Sequence, residues 1–140
     1  MPTSAQAAAV RAKRGARWLD ENFPGWTDRI EADSLDLGDE FNCICGQVFA
    51  AEADEDGFTY AQETLFTQAN RWINSIVKMV AKDQGLPEDD WHERAVKVSI
   101  ALGFQSGSLG GDAMTDDVYV KYDHLQDAWE NLLAKRLASV

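Results

Sequence analysis

Apolar side chains recur at three- and four-residue steps along several stretches of this 140-residue chain, and that spacing commits most of it to helices. The clearest stretch is residues 59–83, where Leu65, Ala69, Trp72, Ile73, Ile76 and Val80 fall on one face. Asp83, Gln84, Gly85 and Pro87 end it, and Glu88, Asp89 and Asp90 place acid where the next helix begins, as its dipole favours. That helix runs to about Leu102, with Trp91, Ala95, Val98 and Leu102 inward. A last helix follows Asp123, its expected cap, with Leu125, Trp129, Leu132, Leu133 and Leu137 as the apolar face. Near the N-terminus, Ser4 is the expected cap of a helix over 5–23. Its narrow stripe is Ala8, Ala12, Ala16, Leu19 and Phe23, and Pro24-Gly25 stops it.

Between these helices the pattern changes. Residues 24–40 are rich in turn formers, with Trp26, Ile30, Leu35 and Leu37 as expected anchors of an irregular segment. Residues 41–51, FNCICGQVFAA, have the length of a short buried helix or of a strand; Ala50 and Ala51 favour the helix, in which Gly46 permits close packing. Residues 103–117 hold four glycines and read as a loop, and 118–122 as a short extended segment. The fold class is therefore mainly α, a compact bundle of four to five helices with irregular connections. Hydrophobic residues make up 45% of the chain, enough for one core, so residues 1–140 form a single helical domain. No stretch approaches the roughly 18 apolar residues of a membrane span, and residues 1–23 lack the charged and apolar regions of a secretory signal.

The formal net charge is −11, which repels nucleic-acid phosphates and anionic lipid and favours basic partners. The charge is unevenly spread. Residues 1–30 carry five cations and three acids, while the other 110 residues carry eight cations and 21 acids. Arg11, Lys13, Arg14 and Arg17 lie on the first helix, so residues 1–23 read as a basic segment able to meet the acidic body of another copy, an oligomerisation arm.

Residues 52–63, EADEDGFTYAQE, come nearest to a chemical motif. A helix–loop–helix calcium site needs oxygen ligands at loop positions one, three and five, glycine at six and a bidentate glutamate at twelve. Glu52, Asp54, Asp56, Gly57 and Glu63 hold those places, although position one has Glu in place of Asp and position eight is Thr59. A solvated acidic turn that caps the next helix explains the same residues. Cys43 and Cys45, with His92 and His124, do not have the spacing of a structural zinc site. Two cysteines at i and i+2 do not bridge, so both read as reduced thiols of a cytoplasmic protein, suppressed as nucleophiles by apolar surroundings. The Gly107–Gly111 run lacks the lysine of a phosphate loop, and His92-Glu93 does not continue as a metalloprotease helix. No catalytic residue and no cofactor is expected. A small enzyme without a readable motif stays open as an alternative.

Four segments taken in order carry a resemblance: GARWLDENFPGWTDRIEADSLDL, CICGQVF, DDWHERAVKVSIALGF and YDHLQDAWENLLAKRL. Together they are similar to a family of small uncharacterised proteins from actinobacteria and their bacteriophages. In that family a Pro-Gly-Trp opening is followed by a Cys-x-Cys segment, a Leu-Gly-Phe and a final helix with Trp. Here Gly46 directly follows the second cysteine, one residue shorter than the family pattern, and 52–83 is longer. The resemblance brings no catalytic residue. It implies the cytoplasm of an actinobacterial host. The missing catalytic motifs and the pairing of a basic first helix with an acidic body set the expected function: a non-enzymatic protein that works through contacts with itself, as a homo-oligomer, or with a host protein.

Overall fold

The computed structural model describes residues 3–53, 55–65, 91–108 and 118–138. Among them it is mainly helical, with five α-helices and no strand. Helix α1 is Ser4–Asn22, α2 is Ile44–Val48 and α3 is Gly57–Tyr60, which runs into a π-helical turn, Ala61–Leu65. Helix α4 is Trp91–Ala101 and α5 is Tyr122–Ala138. Two 3-10 turns, Trp26–Arg29 and Ala32–Ser34, lie in the irregular segment. Most of the helix expected over 59–83, with its anchors Ala69, Trp72, Ile73, Ile76 and Val80, lies outside the described residues.

Helix α1 starts one residue earlier than the sequence suggests, because Thr3 and not Ser4 is its cap. The Gln6 backbone N–H donates to Thr3 Oγ1 at 3.1 Å, and the Thr3 N–H donates to Gln6 Oε1 at 2.9 Å. This reciprocal box satisfies two orphan donors at once. The stripe Ala8, Ala12, Ala16 and Leu19 is buried as expected, together with Ala7 and Trp18. At its other end the Phe23 N–H reaches Leu19 O at 2.7 Å, and Gly25 at φ +87° turns the chain away.

Helices α1 and α5 lie side by side and run in the same direction. At one end Ser4 Oγ accepts from the Lys121 N–H at 3.1 Å and meets His124 Nδ1 at 2.7 Å. At the other end Arg136 grips Asp20. Parallel neighbours cannot be joined by a short turn, so the rest of the chain serves as the crossover between first and last helix. Helix α4 closes the triangle. The Gly103 N–H donates to Ile100 O at 3.1 Å and the Phe104 N–H to Ser99 O at 2.9 Å. With Gly103 at φ +74°, this is a Schellman ending. It brings the α4 terminus directly against the α1 backbone: a Cβ on Gly15 would overlap the Leu102 carbonyl.

The core centres on Trp129. Its Nε1–H donates to Gly103 O at 2.6 Å, its ring stacks on Phe104 at 5.7 Å, and Trp26 meets it edge-on at 6.2 Å. Phe104 leads to Trp18, Phe23, Phe49 and Tyr60, so seven rings form one continuous chain from the irregular segment to α3. Such pairs contribute about 0.5–1.5 kcal/mol each beyond the area they bury.

The anchors of the irregular segment are placed as the sequence predicts: Trp26, Leu35 and Leu37 are buried and Ile30 packs against them. Two glutamines hold its backbone. Gln126 accepts from the Leu37 N–H at 2.8 Å and donates to Leu35 O at 2.7 Å. Gln47 accepts from the Glu31 N–H at 2.6 Å and donates to Asn42 O at 2.9 Å. Short 3-10 turns satisfy only part of this backbone, and the amides pair the remaining groups at Glu31, Leu35 and Leu37, because unpaired backbone groups at a core edge are costly.

Three expectations are corrected. Leu137 is 47% exposed, because the last turn of α5 runs past the core. Asp123 sits inside the first turn of α5 and accepts the His124 N–H at 3.0 Å, since the helix begins at Tyr122. Phe41, in the apolar run 41–51, is 58% exposed, because it lies in the turn ahead of α2. The extended segment near 118–122 is confined to one antiparallel bridge, Gly107 with Val120.

Candidate functional site

The four cations of α1 do not form one surface. Arg11 is fully buried, and its guanidinium donates to Gly107 O at 2.8 Å and Val118 O at 2.7 Å, pinning together the two ends of the glycine-rich stretch. Arg14 is half-buried and donates to Ala101 O at 2.8 Å, satisfying an orphan carbonyl at the α4 C-terminus, where positive charge is favoured. Only Lys13 and Arg17 face solvent. The basic segment is thus also a core element: Ala7, Ala8, Ala12 and Ala16 are buried along it. The split follows the sides of the helix, and the Gly107, Val118 and Ala101 carbonyls brought by other parts of the chain make one of those sides the inward one. Positions 11 and 14 share the inward side with 7, 15 and 18, while 13 and 17 follow 6, 9 and 10 outward.

In the acidic stretch, Asp56 is buried and caps α3. Its Oδ1 accepts from the Thr59 N–H at 2.7 Å and its Oδ2 from the Thr59 hydroxyl at 2.9 Å. Glu52 pairs with Arg29 at 3.1 Å, and Arg29 also donates to Val48 O at the end of α2. Both carboxylates serve the local fold. Asp54 and the Glu63 side chain lie outside the described residues, as do the His92 side chain and Gly110-Gly111. Among the described residues, no group of three or more His, Cys, Asp or Glu is gathered to hold a metal ion.

Both thiols are buried. Cys43 caps α2, its Sγ accepting the Gly46 N–H at 3.3 Å. Burial pushes the Cys43 thiol up to about 11, and burial likewise holds Cys45 well above the ordinary thiol range. A buried neutral thiol is a poor nucleophile. Helix α3 seals this region: a Cβ on Gly57 would overlap the Cys45 carbonyl.

One arrangement had no signal in the sequence. Asp20 on α1, Trp26 in the first 3-10 turn and Arg136 on α5 meet around an open concavity of about 340 Å³, also lined by Gly25 and Thr27. Arg136 donates to both Asp20 oxygens, at 2.7 and 2.9 Å, and lies 5.7 Å from the Trp26 ring centre. The Trp26 Nε1–H donates to the same carboxylate at 2.9 Å. The Arg136 guanidinium, aided by Trp26, holds the Asp20 carboxyl below the ordinary carboxylate range, outweighing the opposite effect of burial. Asp20 and Arg136 stand 116 residues apart, so no local pattern announces them. The same holds for Ser4 with His124. The polar groups of this concavity are paired with one another, so it works as a clasp between parallel helices.

Fold and sites together define a mainly helical protein whose polar interior groups hold its backbone together. No helix among the described residues is long and apolar enough to cross a membrane. Comparison with protein-family models, curated proteins and solved structures finds no match.

Proposed function

We propose that this chain is a non-enzymatic protein of a phage or actinobacterium, working in the bacterial cytoplasm through protein–protein contacts, with itself first and with a host protein in addition. One observation carries the reading: among the described residues, the side chains best suited to chemistry are committed to the fold. Cys43 and Asp56 cap helices, Arg11 and Arg14 hold backbone carbonyls, and Asp20 and Arg136 clasp two helices. The outer surface keeps unspent recognition groups: Val10, Phe41, Tyr119, Tyr122 and Leu137 are exposed on a body of net charge −11. Tyrosine is a residue that contact surfaces favour. The phage and actinobacterial setting rests on the motif resemblance, and the cytoplasm on two reduced thiols. Light scattering on the intact chain at micromolar concentration is expected to give a mass above that of one copy. A monomer across the whole accessible concentration range defeats the self-association.

A further inference from the structure

We propose that the outward face of α1 and the acidic segment 28–41 are the two halves of a contact between copies of this chain. The inference rests on the self-association reading above and names the surfaces that perform it. Gln6, Ala9, Val10, Lys13 and Arg17 form the solvent side of α1. Val10, near its centre, is 53% exposed, so no described part of the same chain covers it. Its charges are positive as far as Arg17; beyond it Asp20 is paired with Arg136, and Glu21 is exposed at the last turn.

The complement lies where the chain leaves α1. Asp28, Glu31, Asp33, Asp36 and Glu40 are exposed along 28–41. The single cation in that span, Arg29, is turned towards Val48 O and Glu52. The segment ends on Phe41, another large exposed apolar side chain. Each surface therefore carries one large exposed hydrophobic group beside a local excess of charge, positive at Lys13 and Arg17 and negative along 28–41, with Glu21 and Arg29 the minority charges at their edges. Both surfaces are rigidly presented, one by a capped helix and the other by the Gln47 and Gln126 amides. Such complementarity fixes register and excludes wrong partners. A second copy is the occupant that carries the matching charge by construction. The bodies repel at long range, so the contact depends on these local charges.

The test uses the full chain and two charge-reversed variants, Lys13→Glu with Arg17→Glu, and Asp33→Lys with Glu40→Lys. All four positions are exposed, and far-UV circular dichroism checks that the fold is kept. Sedimentation velocity is expected to show self-association of the native chain, weakened at least roughly tenfold in each variant alone. An equimolar mixture of the two variants restores it, because reversed face meets reversed segment. Native-like association of both variants alone, or no recovery on mixing, overturns this contact while leaving self-association standing. A native chain that stays monomeric overturns both.

Discussion

Helix α1 and the segment that follows it are neighbours in sequence and opposites in how they are held. Helix α1 satisfies its own backbone and needs only packing: an alanine stripe, a glycine against the Leu102 carbonyl, and Trp129 in the core it shares with α5. Residues 24–42 bury their apolar anchors but make only short 3-10 and turn bonds of their own, so several of their carbonyls and amides take partners from Gln47 and Gln126. The first region is secured by area and close approach, the second by short turns and two amide side chains. They should therefore fail in different ways.

The largest effect is expected in the packed region. Trp129→Ala removes the ring on which Phe104 and Trp26 converge, and should cost about 3–5 kcal/mol in urea unfolding. A loss below about 1 kcal/mol would place the core elsewhere. Gly15→Ala forces a methyl into a backbone carbonyl that cannot give way without moving α4, and should cost about 1–3 kcal/mol. In the irregular region, Gln126→Ala should cost about 1–2 kcal/mol by stranding the Leu37 N–H and Leu35 carbonyl. Its signature is local: faster hydrogen exchange at residues 35–42, with α1 protection unchanged. Equal loosening of α1 would erase the contrast between the regions.

Two smaller effects depend on pH. Cys43 titrates at about 11 when folded, and near 8.5 in an unfolded chain. Rising pH therefore takes the proton from the unfolded state first. The stabilisation is complete below the unfolded value and is lost between the two, and Cys43→Ala should flatten part of that alkaline fall. Asp20 behaves oppositely. Its folded value is lowered, so the clasp contributes fully above the ordinary carboxyl pKa and is lost as acid carries the pH through the folded value. Both partners are partly exposed, so Asp20→Asn should cost less than about 1 kcal/mol at neutral pH and nothing in strong acid. An unchanged acid limb in thermal melts would remove Asp20 from the account.

Among the described residues, the sequence by itself determined where the longer helices run, most of their stops and most of the buried face. Periodicity and breakers act within a few residues, and the Ala8, Ala12, Ala16 and Leu19 stripe, the Gly103 ending and the Trp26, Leu35 and Leu37 anchors are all of that range. It also pointed to the inertness of the thiols, through their apolar neighbours. Only the tertiary structure decided that the first and last helices run parallel, that Arg11 and Arg14 turn inward while Lys13 and Arg17 stay out, and that Asp20 finds Arg136. A cation on a helix is placed in water or in the core by which carbonyls another element brings to it. Those carbonyls, at Ala101, Gly107 and Val118, lie about ninety or more positions further along the chain.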